Sequence, residues 1–186
     1  MDKYIGTKVI EAEPAIRKAG KVYTANDPIP RSMETVEEGY KVKYPDGYES
    51  WSPKEVFEKA YLKIIPNPKL KTDISISQQM VDEFIRDVYP STIGDKTTLV
   101  RVVLVNGFEL IESSACVDKE NYCEEIGTEV CLKKIKDKVW AYLGFLLQTG
   151  VGGVQIDAEA EPRKLVPMRP IAEGVSFSEN LERYSE

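Results

Sequence analysis

The stretch Gly39–Tyr61, GYKVKYPDGYESWSPKEVFEKAY, holds a hairpin signal, a helix start and six aromatic side chains within twenty-three residues. Pro45 presets φ for a type I turn, Asp46 tolerates the bridge region, and Gly47 accepts the positive φ that closes a bulged hairpin. This turn sets Tyr44 opposite Tyr48, Lys43 opposite Glu49 and Lys41 opposite Trp51, so one side of the ribbon should carry an ion pair and a cation over an indole. Tyr40, Val42, Tyr44 and Tyr48 share the other side. Ser52-Pro53-Lys54-Glu55 has the form of a capping box with proline at the first helical position, which predicts a helix from Pro53 with Val56, Phe57 and Ala60 as its apolar stripe. Tyr61-Leu62-Lys63-Ile64-Ile65 then reads as a closing strand.

Working outward, Tyr4 to Ile10 reads as an opening strand. Pro14 to Ser32 reads as loop with one short helix at Ala15–Ala19, because Pro, Gly and Asn punctuate it. Two prolines within Ile65-Pro66-Asn67-Pro68-Lys69 stop any regular element. These signals delimit a first module at residues 1–65, an antiparallel sheet with a short helix.

A second module, residues 72–149, reads as helix, hairpin and long helix. Ser75 or Ser77 can cap a helix running to about Tyr89, where Met80, Val81, Phe84, Ile85 and Val88 recur at helical intervals and Pro90 enforces the end. Asn106-Gly107 predicts a two-residue type I′ turn, pairing Val105 with Phe108, Val103 with Leu110 and Arg101 with Glu112. Apolar residues on both faces of this ribbon suggest that both are covered, by helices or by another chain. A long helix capped by Asp118 follows, with Tyr122, Ile126, Val130, Ile135, Val139, Leu143 and Leu146 as its stripe. It should lie across both modules or pack on a copy of itself. Lys133, Lys134, Lys136 and Lys138 read as its solvated face more readily than as an anion patch. Residues 150–186 form no sustained pattern and are expected to be an extended tail. The fold class is therefore α+β.

Composition narrows the function. The 186 residues contain no histidine, which removes the commonest general base and imidazole metal ligand and lowers the prior for an enzyme. The formal charge of −6, with no basic segment, argues against nucleic acid. Cys116, Cys123 and Cys131 lack metal-ligand or disulfide spacing and read as reduced core thiols in a cytoplasmic protein. No membrane-span or secretory pattern occurs. No cofactor is implied.

Asn106-Gly107-Phe108, Glu112-Ser113-Ser114-Ala115-Cys116-Val117, Asn121, Glu125-Ile126-Gly127 and Lys138-Val139-Trp140-Ala141, with Gly144, Leu146 and Leu147, resemble the tailed-phage gene product 49/66 family over essentially the whole second module. The resemblance implies phage or prophage origin. Tyr4-Ile5-Gly6-Thr7-Lys8 and the Gly39–Tyr61 stretch look like a module of phage and prophage proteins. Their order of elements is similar to that of the Thoeris anti-defence sponges, which capture cyclic ADP-ribose signals; Tyr23, after Arg17-Lys18, stands where those proteins carry a tryptophan.

That likeness implies a non-catalytic protein sequestering a nucleotide-derived immune signal. Such a ligand needs flat rings for its base and cations for its phosphates, which Tyr23, Tyr44, Tyr48 and Trp51 and Lys8, Arg17, Lys41 and Lys43 can offer. Trp51 leads, because it sits beside a helix N-terminus. The alternative is a phage interaction or oligomerisation module without a small ligand. Both readings expect a homo-oligomer.

Overall fold

The computed structural model describes residues 3, 5–31 and 33–154. The tail expectation for residues 150–186 falls almost wholly outside them. Among these residues, two antiparallel sheets and three helices give the α+β class expected from the sequence.

The first sheet has the order β2-β1-β3-β4, formed by β1 (Glu11–Lys18), β2 (Lys21–Thr24), β3 (Val36–Lys43) and β4 (Glu49–Pro53). The β3–β4 register is the one read from the turn, with Lys43 opposite Glu49 and Lys41 opposite Trp51. Gly47 donates to Tyr44 O and has φ +84°, while Asp46 Oδ1 accepts from the Tyr48 amide. The expected strand and short helix before it are corrected: residues 5–10 are irregular, and Ala15–Lys18 belong to β1. Pro14 is tolerated there because β2 pairs only from Ala15 onward, leaving one side of the strand open at the proline. Ala19 and Gly20, both with positive φ, close the β1–β2 hairpin in the manner of a type I′ turn.

α1 (Lys54–Ala60) starts one residue later than expected and without the capping box. Ser52 lies in β4 opposite Tyr40, and its hydroxyl turns toward Pro53 O at 3.5 Å rather than to the helix amides. No closing strand follows. Instead Tyr61 stacks on Phe57, and Ile65 packs on the second core, its amide 3.3 Å from Met80 Sδ.

The second sheet comprises β5 (Ile85–Ile93), β6 (Thr97–Leu104) and β7 (Glu109–Ala115), with α2 (Gln78–Phe84) before it and α3 (Glu124–Gly152) across one face. Ser77 caps α2, accepting from the Met80 amide. The helix stops at Phe84, not Tyr89, because the segment from Ile85, with strand-favouring Ile85, Val88 and Tyr89, pairs with β6. Pro90 sits within this edge strand, where no second neighbour requires its missing N–H.

The second hairpin also departs from expectation. Leu104 donates to Phe108 O, Gly107 donates to Leu104 O at φ +83°, and Asn106 does not have positive φ. This is the bulged turn of the first hairpin again, down to Asn106 Oδ1 accepting from the Phe108 amide. The register therefore moves by one: Val102 faces Leu110 and Arg101 faces Ile111. A one-residue slip exchanges the faces of a strand. Val100, Val102, Leu104 and Leu110 consequently share the core with Met80, Val81, Phe84, Cys131, Ile135, Val139 and Leu143.

α3 begins after Cys123; Asp118 caps only a 3₁₀ turn at Lys119–Asn121. Its buried stripe is Gly127, Cys131, Ile135, Val139 and Leu143, so Ile126 and Val130 are not core residues. The small Gly127 and Cys131 let the helix approach β6 closely, with Cys131 Sγ 3.8 Å from Thr98 O. Burial raises the Cys131 pKa above the ordinary thiol value, while Cys116 and Cys123 are only partly buried, so the core-thiol reading holds for Cys131 alone.

Candidate functional site

Strand alternation divides seven of the eight candidate residues between the two faces of the first sheet, Lys8 lying before β1. Arg17, Lys41, Lys43 and Trp51 project from one face, in register with Glu11, Glu13 and Glu37. Tyr23 lies on the other face with Tyr40 and Val42, and the outward count from the Lys43–Glu49 pair puts Tyr44 and Tyr48 there too. Lys8 reaches this second set, its Nζ 4.1 Å from the centre of the Tyr44 ring.

On the first face the indole of Trp51 crosses Gly39. A Cβ at residue 39 would stand 2.7 Å from two indole carbons, so only glycine admits the ring. Arg17 covers the indole at 4.1 Å and donates from Nε and Nη2 to Glu37 at 2.8 and 2.5 Å. The cation over Trp51 is thus Arg17, not Lys41, and Trp51 does not meet Phe57, which stacks on Tyr40 at 4.2 Å. Lys41 pairs with Glu49 at 3.0 Å, whose hydrogen bond and charge raise the lysine pKa above its ordinary value. Lys43, expected to pair with Glu49, pairs with Glu11 at 3.5 Å. Three cations share this face with four carboxylates, Glu11, Glu13, Glu37 and Glu49, a balance that does not favour phosphate. Trp51 Nε1 is buried without a hydrogen-bond acceptor among the described residues.

The opposite face spends its rings on one another. Tyr40, Phe57 and Tyr61 stack in sequence at 4.2 and 4.9 Å, and Tyr44 stacks on Tyr48 at 5.8 Å. Burial foremost, then Tyr44, lifts the Tyr61 pKa, and the Tyr40 hydroxyl donates to Glu58 at 2.9 Å. Two hollows are described: one beside Glu55, Val56, Lys59 and Ala60, the other beside the β5–β6 turn, with Asp95, Lys96, Asp118 and Lys119. None of the eight candidate residues lines either.

Sequence reasoning missed the β1–β3 pairing that sets Glu37 against Arg17 and Glu11 against Lys43; the alternating Glu11, Glu13, Ala15 and Arg17 are the signal that could have revealed it. It also missed a polar knot where Tyr122 OH lies 2.7 Å from Thr92 Oγ1 and 3.0 Å from Thr98 Oγ1, with Glu124 accepting from Thr92. Of the four α3 lysines read as a solvated face, three have partners. Lys134 donates to Ser113 O at 2.8 Å, Lys136 pairs with Asp82 at 2.7 Å, and Lys138 pairs with Glu112. Among the described residues no group of three or more His, Cys, Asp or Glu could hold a metal ion, and no helix is long and apolar enough to cross a membrane.

The arrangement is that of a two-sheet α+β protein whose second sheet is backed by one long helix. Residues 76–151, from just before α2 to the last turn of α3, match the phage protein (N4 Gp49/phage Sf6 gene 66) family, as the motifs of this segment led us to expect. No curated protein and no solved structure matches the chain.

Proposed function

We propose that the protein is a phage-encoded, non-catalytic interaction module that acts in the host cytoplasm and binds protein through the outer side of α3. The observation that supports this is unspent apolar surface: Ile126 is 62% exposed, Val130 41% and Phe145 76% on a helix whose opposite side is fully packed. Sedimentation of the full chain across about 1–100 µM tests its self-associating form, a range that covers ordinary transient to stable assemblies. A mass rising with concentration supports the module; a single-chain mass throughout removes self-assembly from the reading.

A second reading, sequestration of a nucleotide-derived immune signal, is favoured by the buried, unpartnered Trp51 Nε1 beneath the Arg17 guanidinium, a donor and a cation at one ring. Incubation with cyclic nucleotides and cyclic ADP-ribose isomers, followed by heating and analysis of the released material, tests it. Intact ligand supports capture, and altered ligand would make the protein an enzyme. Loss of capture in both Trp51→Ala and Lys43→Ala places the site on this face; unchanged capture in both removes it from there.

A further inference from the structure

We infer that the partner of α3 is a second copy of this chain, docked antiparallel about a two-fold axis passing between Lys133 and Asp137; this rests on the interaction reading above. At 3.6 residues per turn, Ile126, Val130, Lys133, Asp137, Ala141 and Gly144 fall within an arc of about 80° on the side of the helix away from its buried stripe. Their spacing of four, three, four, four and three residues is that of a helix–helix seam. Every one is exposed or only partly buried.

The charges choose the occupant. The neighbouring Lys134, Lys136 and Lys138 are tied down to Ser113, Asp82 and Glu112, whereas Lys133 and Asp137 form no ion pair or side-chain hydrogen bond among the described residues. A parallel copy would set Lys133 against Lys133. An antiparallel copy sets each Lys133 against the second copy's Asp137, giving two equivalent ion pairs at the axis. Stepping outward by the same symmetry, Val130 meets Ala141 and Ile126 meets Gly144. A Cβ added at Gly144 would have no atom within 4 Å, so the exposed isoleucine finds open space across the seam. Small residues opposite branched ones allow the two axes to approach closely.

Charge exchange tests the geometry without touching the fold, because neither side chain is paired with another described residue. Lys133→Glu and Asp137→Lys should each weaken wild-type self-association about tenfold or more by placing like charges at the axis. Mixing the two variants should restore association to near the wild-type level. The carboxylate introduced in one variant then faces the ammonium introduced in the other, while the native Asp137 of the first faces the native Lys133 of the second. Circular dichroism confirms that both variants stay folded. Self-association that ignores both reversals, or variants that fail to recombine, overturns this geometry alone; a wild-type chain that never exceeds one-chain mass overturns it together with self-assembly.

Discussion

Gly127 of α3 lies against Thr98 of β6 so closely that a Cβ on the glycine would stand 2.6 Å from the threonine Cβ, and nearer still to its Oγ1. Thr98 is fully buried at this crossing and bonded to Tyr122 through its hydroxyl. The helix can cross β6 this closely only because one side chain is missing.

Replacing Gly127 with alanine should destabilise the protein by about 2 kcal/mol, despite the better helix propensity of alanine, because neither helix backbone nor strand can yield without breaking the Thr98–Tyr122 bond. Urea unfolding of the variant measures this. A stability equal to or above wild type would show that the crossing is looser than described.

The two bulged turns predict matched penalties. Gly47→Ala and Gly107→Ala should each cost about 1 kcal/mol, since both require a left-handed backbone that alanine adopts poorly. Asn106→Gly should cost less than Gly107→Ala. A stabilising Asn106→Gly in thermal unfolding would indicate a type I′ turn, in which residue 106 also needs the positive φ that glycine adopts most readily.

Acid should weaken the ion pairs that tie β7 and α2 to α3. The Lys138 hydrogen bond, followed by its charge, holds the Glu112 pKa below the ordinary glutamate value, and Lys136 does the same for Asp82. Both carboxylates are lowered on folding, so their contribution is present above about pH 4.3, the unfolded glutamate value, and is lost as pH falls through the folded values. Glu112→Gln should flatten the acid limb of a stability–pH profile. Its cost at pH 7 should stay near 1 kcal/mol or less, since the Lys138 side chain remains well solvated. An unchanged acid limb would mean that the pair contributes nothing.

The first hairpin was legible because Pro45, Asp46 and Gly47 leave one turn open to the chain. Asn106-Gly107 was not, because an Asx-Gly pair serves both a type I′ turn and a type I turn with a glycine bulge. Residues 99–105 are apolar on both faces apart from Arg101, so alternation could not choose between registers one residue apart. Ile85–Tyr89 satisfied a helical period as well as a strand, and only the presence of β6 alongside decides. The candidate site suffered from one such error upstream. With Glu11–Lys18 not read as a single strand, the carboxylates that meet Arg17 and Lys43 were out of sight, and the cations looked available for phosphate.

The Val9 amide donates to Gly150 O at 3.1 Å, and Gly150 leaves just enough room for the Val9 side chain. The leading segment is thereby stapled to the final turn of the long helix, far along the polypeptide from it. Cutting the chain at the proline-rich connector would strip that carbonyl of its donor and bare the valine, so the two sheets are not interchangeable cassettes, and a fragment starting at residue 72 should fray first at its own far end.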